Sequence, residues 1–221
     1  IWKNTTGKER SKIIQRMAEL MTVYHDDLAT ILTMESGKPL AEAKGELSYA
    51  QSFYELYAEE AKRIEGTVMP SNIHGRRMFA IKQSVGPAAL ITPWNFPAAM
   101  ITRKVGPALA AGCTVVIKPA EETPLTALAL CAIAEEAGVP KGVINCVTVA
   151  RSEVVDVGTF LCNSSLLRKV SFTGSTNVGK WLMRGSASTV KRVSIYIYIF
   201  NMNAYYLYIY SCIVIVTSNY I

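Results

Sequence analysis

From residue 88 onward the chain repeats one unit: a short apolar run, then a longer stretch closed by turn residues. The runs fall at 88–91, 114–117, 143–147, 169–172 and 190–194. A spacing of roughly 20–25 residues is what a crossover helix and its two loops require. Strands joined by helices run parallel, and a parallel sheet must be covered on both faces. The pattern therefore predicts a doubly wound α/β domain of the Rossmann kind. One of its helices is well marked: Thr123 can cap it, Pro124 suits its first turn, Gly138 suits the position after its end, and Pro140 follows.

The preceding part has a different grain. Over residues 8–65, Ile13, Met17, Leu20 and Tyr24 recur at helical spacing, and Leu28, Ile31 and Leu32 extend the apolar face until Gly37 and Pro39 stop it. Leu47, Ala50, Tyr54, Tyr57 and Ala61 mark a second amphipathic helix. Two extended runs, 67–69 and 77–84, then flank a polar turn and predict a hairpin.

Composition excludes more than it assigns. Half of the 221 residues are hydrophobic, enough for a sizeable core. The net charge of +6 invites a nucleic-acid reading, but Lys and Arg are interleaved with Glu, and no basic run exceeds two or three residues. The charge is at most weak support for anionic ligands. Five cysteines without CxxC spacing read as reduced, buried thiols, with neither disulfides nor a metal site. His25 and His74, the two histidines, lie in no nucleophile motif and read as surface residues. The chain opens at Ile1, which reads as a fragment boundary with any targeting segment upstream.

Three segments follow strands and could carry chemistry. The first is Ile91-Thr92-Pro93-Trp94-Asn95-Phe96-Pro97. Its prolines stiffen the backbone, so the Asn95 amide either donates to an oxyanion or caps the next helix. The second is Lys118-Pro119-Ala120-Glu121-Glu122-Thr123-Pro124. Lys118 and Glu121 at a strand end can reach a ribose, and a carboxylate there repels a 2′-phosphate, favouring NAD over NADP. A charged loop leading into a helix is the plain alternative. The third is Phe172-Thr173-Gly174-Ser175-Thr176-Asn177-Val178-Gly179-Lys180-Trp181. Its glycines would let backbone amides approach a phosphate at a helix start, or would merely form a strand–helix turn. It nearly matches a P-loop, but Trp181 stands where Ser or Thr is needed for magnesium, so a nucleotide hydrolase is rejected.

In order and spacing these segments resemble the aldehyde dehydrogenase superfamily, nearest its succinate-semialdehyde branch. The resemblance spans about 2–194. ITPWNFPAAMITRKVGPALAAGCTVVIKPAEETPLTALAL is its most specific piece, supported by ESGKPLAEAKGE and SFTGSTNVGK. It implies an NAD-dependent oxidation of succinic semialdehyde to succinate, in γ-aminobutyrate breakdown, in the mitochondrial matrix or cytoplasm. It also implies that Asn95 is the oxyanion donor to a thiohemiacetal. Ile91, Thr92, Pro93, Trp94, Lys118, Glu121, Phe172, Gly174, Ser175, Val178 and Gly179 would surround the cofactor. Arg103 would hold the substrate's distal carboxylate, as a guanidinium does bidentately; an exposed helical Arg is the alternative. The stretch 67–84 would be an oligomerisation hairpin, making homo-oligomers of the intact family.

The resemblance stops after Ser194. The family continues KRVS with an apolar residue and a catalytic Glu, with the nucleophilic Cys tens of residues beyond. Here Tyr196 stands at the Glu position, and Cys212 comes too early. Residues 1–194 are thus expected to be a partial NAD-binding domain without turnover, and 195–221 an unrelated tail. A non-catalytic cofactor-binding or subunit-interaction protein is the alternative. The tail has 27 uncharged residues rich in Ile and Tyr, which share AT-rich codons; translated non-coding sequence is the expected origin. It is long enough to span a membrane, but Asn201, Asn203 and tyrosines throughout argue against that. A β-prone, aggregation-prone segment fits better.

Overall fold

The fold begins at a capping box. Thr6 Oγ1 accepts from the Glu9 amide at 3.2 Å, and Glu9 Oε2 accepts from the Thr6 amide at 2.6 Å, starting helix α1 (Gly7–Val23). Helices α2 (His25–Ser36) and α3 (Leu40–Glu60) follow. The computed structural model, which describes residues 2–197 and 211–220, therefore divides at Tyr24 what periodicity reads as one helix. Tyr24 leaves helical geometry at φ −96°, ψ 19°, and the acids Asp26 and Asp27 then suit a fresh helix start. Gly37 ends α2 in the left-handed conformation, φ 74°.

The hairpin is present as β1 (Thr67–Pro70) and β2 (Arg77–Ser84), antiparallel, with Val68 opposite Phe79. Then come β3 (Ala88–Ile91), α4 (Pro97–Ala110), β4 (Val115–Lys118), α5 (Pro124–Glu136) and β5 (Ile144–Cys146). They are followed by α6 (Val154–Asn163), β6 (Lys169–Gly174), α7 (Thr176–Ser186) and β7 (Arg192–Ile197). The last expected strand starts late because Val190 takes a left-handed turn, φ 49°. It also runs three residues past Ser194, pairing Ile195 with Phe172 and Tyr196 with Thr173. A final strand, β8 (Ile213–Tyr220), lies antiparallel along β2, giving a three-stranded sheet β1-β2-β8. The middle of the tail, 198–210, lies outside the described residues. No helix among the described residues is long and apolar enough to cross a membrane.

The main sheet has the order β5-β4-β3-β6-β7 and is parallel throughout. β3 is buried along its whole length, and its side chains alternate between two cores. Ala88 and Leu90 join a large cluster with α1–α5, while Ala89 and Ile91 join a smaller one with Leu161, Phe172 and Leu182 on the α6/α7 side. The layered, doubly covered α/β sheet is as the strand repeat implies.

The helical layer is held to the sheet layer mainly through α3 against α4. Gly106 makes the approach possible: a Cβ there would stand 2.9 Å from Cδ2 of Tyr57, whose ring is fully buried. Gly106→Val should therefore lower unfolding free energy by about 1–3 kcal/mol, as overpacking of a filled core does. Urea denaturation checks this; a loss under ~0.5 kcal/mol would mean the contact is slack.

Candidate functional site

Parallel pairing brings the three loops to one edge. Ile91 at the end of β3 is in register with Lys118, the last residue of β4, and with Phe172 near the end of β6. The Thr92 amide donates to the Lys118 carbonyl at 3.2 Å, continuing that ladder into the loop. The chain runs from β3 outward to β4 and β5, then returns across β3 to β6, so the strand order reverses between β3 and β6. That reversal opens a crevice outside the strand ends, the usual ligand position in such sheets.

Thr92 is buried, Pro93 and Asn95 are half-buried, and Trp94 is 60% exposed; Phe96 and Val178 are exposed too. Lys118 is buried, and its Nζ donates to the Pro119 carbonyl at 2.8 Å and to Glu121 Oε2 at 3.3 Å. Burial works to raise the Glu121 carboxyl, but a backbone hydrogen bond and the Lys118 charge outweigh it and hold it below the usual range. Gly174 closes β6, and Ser175 caps α7, its Oγ accepting from the Val178 amide at 3.5 Å.

Both glycines of the third segment also have a packing reason. A Cβ on Gly179 would stand 2.9 Å from Ile195 Cγ2, and one on Gly174 would stand 2.5 Å from Phe172 Cζ. They let α7 and the end of β6 close on their neighbours, a need that the glycine spacing did not reveal. Arg103 is half-buried on α4, its guanidinium 5.7 Å from the Phe53 ring centre and Nη1 3.7 Å from Met100 Sδ.

Helix capping differs from the sequence reading. Thr123 occupies the N-cap position of α5 but makes no capping bond with its side chain; Glu35 on α2 supplies the acceptor. Glu35 Oε2 takes the Thr126 amide at 3.1 Å and the Thr126 hydroxyl at 2.6 Å, and Oε1 takes the Leu125 amide. Asn95 likewise does not cap α4, whose N-cap residue is Phe96. The buried Glu46 of α3 does so from a distance, Oε1 accepting from the Ala98 amide at 2.8 Å and the Ala99 amide at 3.2 Å. Its other oxygen pairs with Lys38, and Lys38 Nζ also donates to the Asn95 carbonyl at 3.0 Å. Periodicity missed Glu35, Lys38 and Glu46. The available signal was a Gly-Pro break with a carboxylate on either side.

Anion acceptance along this edge is uneven. Helices α4 and α5 already have protein carboxylates at their starts, and α6 has Glu153 and Asp156. Helix α7 has no acidic residue in its first turn, so the positive end of its dipole is not offset by a carboxylate of its own. Three buried hydroxyls at this edge, Thr92, Thr123 and Thr173, lack a hydrogen-bond partner among the described residues.

A model of the aldehyde dehydrogenase family matches residues 1–197. The chain belongs to the aldehyde dehydrogenase family. It is 56% identical over 194 residues to a glutarate-semialdehyde dehydrogenase of Pseudomonas putida, covering 88% of this chain and 40% of that one. It is 55% identical over 194 residues to the succinate-semialdehyde dehydrogenase [NADP(+)] GabD of Escherichia coli, with 88% and 40% covered. It is 53% identical over 193 residues to the mitochondrial succinate-semialdehyde dehydrogenase of Mus musculus, with 87% and 37% covered. The chain thus spans about two fifths of the length of these curated relatives. Among solved structures it matches an aldehyde dehydrogenase of Brucella melitensis at TM-score 0.86 and 52% identity, covering 89% of this chain and 40% of that one. A betaine aldehyde dehydrogenase of Staphylococcus aureus, solved with NAD+, matches at TM-score 0.84 and 33% identity, covering 88% and 39%. These relatives establish the family and its α/β fold.

A buried basic cluster lies between α4 and strands β6 and β7. Lys104 Nζ donates to Ser171 Oγ at 3.0 Å and stands 4.8 Å from the Tyr196 ring centre, and Lys169 Nζ donates to Ser194 Oγ at 2.5 Å. Burial first, then the charges of Arg103 and Lys169, holds the Lys104 ammonium well below its usual range. A hydrogen bond with Cys113 leads in lowering the Cys212 thiol to about 7, with Lys169, Ser211 and Lys104 assisting against burial. Both groups bind fewer protons folded than unfolded at neutral pH, so stability is lost as pH falls and gained as it rises. For Cys212 that gain lies between about 7 and the unperturbed 9.0; above 9.0 its hydrogen-bonded partner Cys113, whose thiol is pushed up, acts the other way and opposes the gain that Lys104 extends toward 10.5. Burial raises the Tyr54 phenol, so above about 10 the unfolded chain ionises first and stability falls. The thermal midpoint should climb from pH 7 to about 9, then drop above about 10. Lys104→Met should flatten the climb and raise the midpoint at pH 7; an unchanged profile would show that this lysine is hydrated.

Proposed function

We propose that this chain carries the cofactor-binding part of a succinate-semialdehyde dehydrogenase. The whole protein would oxidise succinic semialdehyde to succinate with NAD, in the mitochondrial matrix or the cytosol. The observation that carries the reading is the register of Ile91 with both Lys118 and Phe172, which sets three loops side by side at the strand-order reversal. The open start of α7, with Ser175 and Val178, fits a pyrophosphate. Lys118 and Glu121 fit ribose hydroxyls, and Trp94, Pro93 and Thr92 fit the crevice wall. The unsatisfied hydroxyls nearby are further evidence that polar ligand atoms belong there. When bound, NAD supplies the hydride acceptor.

The residues themselves have separable tasks. On this reading the Asn95 amide would donate to an oxyanion from its proline-stiffened loop, and Arg103 would meet a carboxylate at the far end of the substrate. An ionised Glu121 disfavours a 2′-phosphate, which supports NAD as the cofactor, although the Escherichia coli relative is named for NADP. In the family pattern the general base follows KRVS by one apolar residue; that position is Tyr196, whose phenol is pushed up first by burial and cannot serve as a base near neutrality. Residues 1–194 would form the cofactor unit and 195–221 an addition of other origin that extends β7 to Ile197 and lies along β2 as β8. One side of the hairpin presents exposed Val68, Phe79 and Ile81, a face suited to subunit contact.

Calorimetric titration of the 221-residue chain should give NAD binding at least about tenfold tighter than NADP, with Glu121→Gln narrowing the gap. The same chain should not reduce NAD with succinic semialdehyde. Turnover above that of Asn95→Ala would refute the expectation that this chain is inactive.

A further inference from the structure

Helices α4 and α5 start in the same unusual way. Each has proline at its first position, Pro97 and Pro124, and neither has a side-chain cap of its own. Proline leaves no amide at that position, so the next two amides are the ones that need acceptors. In α4 these are Ala98 and Ala99, and both go to Glu46. In α5 they are Leu125 and Thr126, and both go to Glu35. Glu35 and Glu46 are the two ends of one stretch, ESGKPLAEAKGE, folded back by the left-handed Gly37 and by Pro39. Between them Lys38 pairs with Glu46, donates to the Asn95 carbonyl, and lies 4.8 Å from the Phe96 ring centre.

We propose that residues 35–46 are a brace that fixes the Asn95 loop and the Lys118–Glu121 loop relative to one another. Glu35, Lys38 and Glu46 are positioning residues that act through the Leu125 and Thr126 amides, the Asn95 carbonyl, and the Ala98 and Ala99 amides. The proposal rests on the reading of those two loops as cofactor loops. The arrangement has a chemical logic. Each carboxylate of the chain itself satisfies a helix start, buried Glu46 at α4 and half-exposed Glu35 at α5, so neither helix competes with α7 for the cofactor's phosphates. Lys38 adds the contact that a cap alone would not need: it holds the Asn95 backbone, and so decides where the Asn95 amide points. Because one short segment holds both loops, the separation between the amide and the ribose-binding pair does not drift when either loop moves. Misplacement of a donor by about 1 Å is enough to matter for such a site.

The test uses the full 221-residue chain and two measurements. Amide hydrogen exchange reads the loops without cofactor. Glu46→Gln should speed exchange over 92–99 by about tenfold, the equivalent of ~1.4 kcal/mol, and leave 124–127 alone. Glu35→Gln should do the reverse, and β3 and β4 amides should keep their wild-type rates in both. Calorimetry reads the link to the cofactor. Lys38→Met should weaken NAD by about tenfold and lower the thermal midpoint, since it leaves the buried Glu46 without its ammonium, and Lys38→Arg should restore both. Exchange unmoved by both glutamine variants, or raised evenly through the sheet, would overturn the brace. Unchanged NAD affinity in Lys38→Met, or no rescue by arginine, would overturn its role in cofactor placement. A wild-type chain that does not bind NAD would sink the cofactor reading, and the exchange pattern would still decide the brace.

Discussion

Parallel pairing of β3 on both of its edges is the constraint from which the rest follows. A strand hydrogen-bonded to β4 on one side and β6 on the other has no free edge, and burial of both faces leaves only its ends open. Parallel neighbours share direction, so the carboxyl ends of all three strands must emerge together. The loops that follow have nowhere to go but one rim. The chain builds outward from β3 in one direction and then in the other, and this separates the loops enough to leave a crevice.

A buried carboxylate keeps that rim in order. Glu46 lies in the core, where an unpaired anion would be strongly disfavoured. It is matched by two amides and an ammonium, and desolvation is offset by the hydrogen bonds it collects. Glu35 does the same work at α5 while half-exposed. The helical layer is thus more than cover for one face of the sheet. Through α2 and α3 it determines how the functional loops begin their helices.

Much of the fold could be read from the residues. The strand repeat from residue 88 gave the sheet, and Pro124 and Gly138 bracketed α5 correctly, Gly138 at φ 91°. The hairpin followed from its turn. What escaped notice depended on contacts between distant residues. Tyr24 breaks the first helical run although its spacing continues the apolar stripe, because periodicity senses one face and not the backbone. Thr123 has the composition of a cap, yet Glu35, far away in sequence, takes the amides instead. Gly174 and Gly179 read equally well as a phosphate turn or as room for packing, and only the positions of Phe172 and Ile195 reveal the packing need. Most of the candidate cofactor residues were nameable because each lies at or close to the carboxyl end of a strand.

By itself, the sequence determined the succession of elements, the parallel sheet and the residue types at each strand end, because these depend on local periodicity and on short-range turn chemistry. Tertiary structure decided which strands are neighbours, that Ile91, Lys118 and Phe172 share one level, and that α4 and α5 are capped from α3 and α2. The physical reason is range. Backbone preferences act over a few residues, whereas a carboxylate finds its amide partners only after the chain has folded back on itself.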